Sequence, residues 1–155
     1  MDFEKYMNEA LALAQKAGEA NEVPVGCVVV DEQGEIIGKG YNTREKDHLA
    51  TSHAEIMAIN AACKKTGDWR LDGCSIFVTL EPCPMCAGAI MNARISKLIY
   101  GAKEPVYGSC SSVINLFEER YPGHSAIYSG ILEKECSGLL NSFFKEKRKQ
   151  ISLTD

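Results

Sequence analysis

Two short segments carry residues whose types and spacing can do chemistry. His53-Ala54-Glu55 sets an imidazole two positions before a carboxylate, and Pro82-Cys83-Pro84-Met85-Cys86 sets two thiols three positions apart. Thiols at i and i+3 fall on one helix face, and a helix N-terminus favours the thiolate, which is the form that binds zinc. Pro84 suits a first helical turn, where a missing N–H costs nothing. Two thiolates and one imidazole are three ligands for one Zn2+ per chain; a structural site needs a fourth of comparable quality, so the open position goes to water. On a regular helix His53 and Glu55 point about 200° apart, so they converge only if His53 sits at the irregular helix entrance. Ser52 as N-cap is compatible with that geometry.

A carboxylate beside such a water takes its proton and later delivers it to a ring nitrogen and a departing amine. This is hydrolytic deamination, and the paired His-x-Glu and Pro-Cys-x-x-Cys motifs are the signature of zinc nucleobase deaminases. Each half alone has a plainer reading. A Cys-x-x-Cys is also a redox pair or half of a structural zinc site, and a lone His53 is more often a surface residue. Both halves at helix starts make the plain reading weak, and a catalytically silent zinc module has no use for the free carboxylate of Glu55.

The elements that must position these groups follow from periodicity. Phe3, Tyr6, Met7, Ala10, Leu11, Ala14 and Ala17 recur at helical spacing. Residues 25–30 form a β-branched run, 31–34 a turn and 35–41 a second run, which together predict a hairpin followed by a polar loop over 42–52. A helix is expected over 54–65, a buried strand over 75–80, a helix opened by prolines over 83–93 and a strand over 95–100. A long Gly/Ser-rich loop starts at Gly101 and has room for a short helix at 112–117. A weak strand at 124–129 precedes a final amphipathic helix marked by Leu132, Cys136, Leu139, Leu140, Phe143 and Phe144. Acidic residues open that helix and Lys145, Lys147, Arg148 and Lys149 close it, the order its dipole favours. The order αββαβαβ(α)βα describes an α/β sandwich with helices on both faces of one sheet.

At 155 residues with 45% apolar and 25% charged side chains, the chain has the size and composition of one globular domain, residues 1–155. No apolar run approaches the ~18 residues of a spanning helix, and the start is too acidic for a signal peptide, so the expected location is cytoplasmic, with no membrane partner. A net charge of −4 excludes a global basic field, so any nucleic-acid contact is local. The basic cluster at 145–149 reads equally as a solvated helix end or an RNA contact. Seven scattered cysteines suit a reducing compartment, with Cys27, Cys63, Cys74 and Cys136 as small core residues and Cys110 left open. Met57, Met85 and Met91 read as core fillers, and Trp69 as a loop closure.

Beyond the motifs, Val23-Pro24-Val25-Gly26, Asn42, the run from His53 to Ala58, the run from Thr79 to Ala89, Gly130-Ile131-Leu132 and the Phe143-Phe144 ending make the chain resemble the bacterial tRNA adenosine deaminases. The resemblance implies the cytidine-deaminase-like fold, a three-layer α/β/α sandwich around one mixed sheet, and a homodimer. It implies a single zinc held by His53, Cys83 and Cys86, with Glu55 as proton shuttle and a tRNA anticodon loop as partner. The implied substrate contacts are Asn42, the apolar wall at Val25, Ala54, Pro82 and Glu104, with the Cys83 N–H near the reacting oxygen. Two loops depart from the family pattern. Residues 49–51 read Leu-Ala-Thr where Asp-Pro-Thr is usual, and in 104–112 a glutamate replaces aspartate at Glu104 while Val106 replaces lysine. The competing reading is therefore a deaminase of a free nucleobase or nucleoside, such as guanine or cytosine.

Overall fold

The computed structural model describes residues 1–154. Helix α1 (Phe3–Glu19) is capped by Asp2, whose side chain accepts the Lys5 N–H, and leads into the hairpin β1 (Gly26–Val30) and β2 (Ile36–Tyr41). A single-turn helix α2 (Arg44–Asp47) follows, then α3 (Ala54–Thr66), β3 (Ser75–Leu80), α4 (Pro84–Asn92), β4 (Lys97–Ala102), a 3-10 turn at Leu116–Glu118, β5 (Ala126–Tyr128) and α5 (Glu133–Thr154).

The strands form one mixed sheet in the order β2-β1-β3-β4-β5, antiparallel on the β1 side and parallel from β3 to β5. Helices α1 and α5 pack on one face, and α3 and α4 pack together on the other, which is the expected three-layer α/β/α arrangement. The core is continuous through the sheet, with Val28, Val29, Ile76, Phe77, Leu98 and Ile99 fully buried. No described helix is long and apolar enough to cross a membrane.

Gly38 and Gly40, two apart on β2, let α3 lie directly on the strand backbone, where a Cβ would strike the carbonyls of Ala58 and Ala54. This close approach fixes the start of α3, and with it His53 and Glu55. The parallel β3/β4 pair does the same for the second motif, since α4 starts where β3 ends.

Five local expectations change. The loop at 42–52 contains α2, and the helix expected at 112–117 shrinks to the 3-10 turn. Strand β4 starts two residues later than expected because Arg94, at φ 61°, turns the chain after α4. Ser52 is buried, and His53 takes the N-cap position instead. Met57 is on the outer side of α3, 36% exposed, and fills no core.

Candidate active site

His53 precedes α3 with extended backbone angles, φ −81° and ψ 153°, so its ring escapes the helical direction that would carry it away from Glu55. Cys83 occupies the equivalent place before α4, at φ −74° and ψ 174°, with Pro84 in the first turn and Cys86 buried one turn on. The two helix starts face each other across the end of the sheet. His53 Nδ1 lies 3.6 Å from Cys83 Sγ and 3.4 Å from Cys86 Sγ.

Those distances test whether the set suits a metal. A tetrahedral zinc with ordinary metal–sulfur and metal–nitrogen lengths separates its nitrogen and sulfur ligands by about 3.6 Å, so the side chains already stand at ligand spacing. Among the described residues this is the convergent group of metal-ligating side chains, with all ligand atoms within 4.8 Å of one another. The electrostatics agree. The hydrogen bond with Cys86, and then that with His53, pull the Cys83 thiol down to about 4. The same bond and burial push Cys86 up. His53 is raised, first by its hydrogen bond to Cys83 and then by the Glu55 charge, while burial and the nearby Arg44 oppose the rise. The cluster thus holds protons that a soft dication displaces on binding.

Glu55 is 4% exposed, and its carboxyl faces the Cys86 thiol. Burial pushes its pKa up to about 7, against a smaller opposing pull from its own backbone N–H and from His53. It borders a cavity of about 790 Å3 that is also lined by His53, Cys83, Asn42, Val25 and Glu104. Asn42 Oδ1 accepts the Ala54 N–H at 2.9 Å, which fixes its amide orientation and leaves the NH2 group as the donor it can offer a ligand.

Ala54 and Pro82 do not line the cavity. Both are buried beneath it, where Ala54 holds Asn42 through its N–H and the Pro82 carbonyl accepts the Ser109 N–H at 2.9 Å. Glu104 stands at the rim, its Oε1 accepting the Val106 N–H at 2.9 Å. The cavity lining also includes residues outside the zinc motifs: Glu22, Arg44, Tyr107, Phe143, Phe144 and Lys147. Glu22 accepts the N–H groups of Glu45 and Lys46 at 3.0 and 2.8 Å, anchoring α2 so that Arg44 Nη1 lies 3.5 Å from His53 Nε2. Phe143 and Phe144 read in sequence as part of a helical stripe and as an ending shared with the family, with no place in the site, while Lys147, over the Phe143 ring at 5.6 Å, was one charge in a cluster.

Comparison with known proteins agrees with this geometry. The family model for the cytidine and deoxycytidylate deaminase zinc-binding region matches residues 1–102, a stretch that contains all three ligands and Glu55. A tRNA-specific adenosine deaminase of Bacillus subtilis (strain 168) is 47% identical over 95% of this chain and 91% of its own length. A solved structure from studies of A-to-I editing by tRNA:A34 deaminases at the wobble position superposes with a TM-score of 0.84 at 42% identity, covering 88% of this chain and 99% of the other. The guanine deaminase of Bacillus subtilis is more distant, at TM-score 0.63 and 31% identity over 79% of this chain and 88% of its own. With a zinc-spaced His53, Cys83 and Cys86 beside a buried carboxylate, the chain belongs to the cytidine and deoxycytidylate deaminase zinc-binding family, and within it to the tRNA-specific adenosine deaminases, which are zinc-dependent hydrolytic enzymes.

Proposed function

We propose that this protein converts the wobble adenosine of a tRNA anticodon to inosine, consuming one water and releasing one ammonia. The observation that carries the reading is the cavity itself. Its floor holds Glu55 beside the ligand set, and its walls continue to Arg44, Phe143, Phe144 and Lys147, giving room and chemistry for more than one ring. An anticodon loop presents an unpaired base that costs little to extrude, with phosphates and neighbouring bases for cations and aromatic rings to meet.

His53, Cys83 and Cys86 are the residues that would hold one Zn2+. When bound, zinc brings the pKa of a coordinated water close to neutrality. Glu55 takes one proton from water and hands it to N1 of the adenine ring, then carries the second proton of the same water to the departing amine, so that the water oxygen ends as the ring carbonyl and the amine leaves as ammonia. The burial of Glu55 keeps bulk water from competing. The Asn42 NH2 group and the apolar side of Val25 orient the nucleotide, and the Cys83 N–H at the start of α4 supports charge on the reacting oxygen. Glu104 borders the entrance.

The small, partly exposed Gly88 and Ala89 on α4, with the partly exposed Met91 beside them and the exposed Met57 on α3, support a homodimer of single catalytic domains, and the reducing-type cysteines support a cytoplasmic location. Light scattering distinguishes a dimer from a 17.0 kDa monomer. The activity test incubates zinc-loaded protein with tRNA, with an anticodon stem-loop RNA and with a panel of free bases, scoring inosine and ammonia. Inosine at the wobble position is expected. Ammonia from guanine or cytosine, without inosine in RNA, assigns the enzyme to free bases instead.

A further inference from the structure

Glu81 opens the segment that runs from β3 to Cys83 and has no part in the ligand set, yet it is 2% exposed and more heavily bonded than any other carboxylate described above. Its Oε2 accepts three successive backbone N–H groups, from Cys110 at 3.0 Å and from Ser111 and Ser112 at 3.1 Å each. Successive N–H groups converging in this way form an anion nest, and here the anion is the protein's own carboxylate. Its Oε1 accepts the Glu104 N–H at 3.1 Å and the Ser112 hydroxyl. Main-chain bonds extend the tie, from the Glu81 N–H to the Ala102 carbonyl at 2.8 Å and from the Ser109 N–H to the Pro82 carbonyl at 2.9 Å.

One carboxylate therefore clasps both ends of the loop 104–112 and joins them to the arm that bears Cys83. Between the clasped ends, Pro105, Val106 and Tyr107 are exposed, while Tyr107 and Glu104 form part of the cavity wall. Gly108 closes against the clasp, where a Cβ would strike the Glu104 carbonyl and the Glu81 carboxylate. With both oxygens committed to donors, Glu81 has little left to offer a ligand, so its influence on one must pass through the loop.

We propose that Glu81 is a positioning residue for substrate recognition: its carboxylate locks the loop 104–112 in register with Cys83 and thereby fixes the wall against which the anticodon nucleotides are held. The proposal rests on the reading of the cavity as a nucleotide site. In Glu81→Gln an NH2 group replaces one oxygen and confronts N–H donors it cannot accept, so the clasp opens while the zinc ligands stay in place.

The test uses the zinc-loaded full chain and reads metal content, backbone amide exchange over 104–112, and kcat and KM on the anticodon stem-loop RNA. Zinc is expected to stay near one per chain and exchange in the loop to quicken about tenfold or more. KM should rise by a similar factor with kcat within about threefold of the parent, the split that marks lost binding. Unchanged exchange, an unchanged KM, or a fall in kcat with loss of zinc overturns it. Should Glu81→Gln not fold, Ser112→Ala removes a single contact of the clasp, and a smaller rise in KM, with kcat and zinc content retained, is expected; no rise overturns the proposal. If the parent protein binds zinc but makes no inosine, the functional reading fails separately, and the exchange comparison still decides the clasp: quickened exchange upholds it and unchanged exchange overturns it.

Discussion

Glu55 and Glu81 are the same residue type, similarly buried at 4% and 2% exposure, and both border one cavity, yet their proton affinities are displaced in opposite directions. Burial acts on both. In Glu55 it dominates and brings the carboxyl to about 7. In Glu81 burial is outweighed by the Ser112 hydroxyl and by backbone N–H groups of Ser112, Cys110 and Glu104, so the group lies below the ordinary carboxylate range. A carboxylate that several donors face becomes framework, whereas one in which burial dominates remains free to move a proton near neutral pH. Glu22, 3% exposed and bonded to two N–H groups of α2, is a second framework carboxylate.

Substitutions can break this contrast, and the largest effect lies at the ligands beside Glu55. Cys83→Ala or Cys86→Ala should lose both zinc and deamination, because thiolates supply most of the affinity; metal analysis and inosine formation check this. Full zinc occupancy in the double variant would remove these residues from the ligand set. Next comes Glu55→Gln, which should keep zinc and lower kcat by about 10²- to 10⁴-fold, the usual range for a general acid–base. A variant running at a tenth of the parent rate would mean that the carboxyl does not carry the protons. Its metal-free form should unfold no earlier than the parent, since few donors are orphaned, and a thermal melt reads that directly.

Glu22→Gln should behave as the framework class does. Replacing one acceptor of the Glu45 and Lys46 N–H groups should lower stability by about 1–3 kcal/mol in a denaturant titration. Zinc content should not change. Equal stability of Glu22→Gln and parent would show that α2 does not depend on this carboxylate.

The reactive half of the contrast was legible in sequence and the framework half was not, for a physical reason. His53 with Glu55 and Cys83 with Cys86 act at spacings of two and three residues, so their chemistry is visible in short windows. The sheet and main helices were legible through their apolar periods. Glu81, in contrast, draws donors from 23 to 31 residues downstream, and most of these are backbone N–H groups that no residue type announces. Helix α2 consists of four charged residues without an apolar period, and its anchor lies at Glu22. Ala54 and Pro82, which the resemblance implies as substrate contacts, are buried and lie outside the cavity lining.

The smallest expected effect lies at the rim, where charges are solvated and no carboxylate is buried. Lys145, Arg148 and Lys149 are exposed on α5, whereas Lys147 is half-buried against Phe143 and borders the cavity. A phosphate contact made in a single-stranded loop contributes about 0.7 to the slope of log affinity against log salt. Lys147→Gln should therefore flatten that slope by close to this amount and raise KM for the stem-loop RNA a fewfold. Turnover should hardly change, because a cation on a distant phosphate binds ground and transition states alike. Lys149→Gln, further along the helix and outside the cavity lining, serves as the comparison and should alter the slope less. Equal effects from both would describe a diffuse basic helix end rather than a contact placed by the Phe143 ring. A salt-independent rate in the parent would mean that no phosphate is engaged, which is the behaviour of an enzyme acting on free bases.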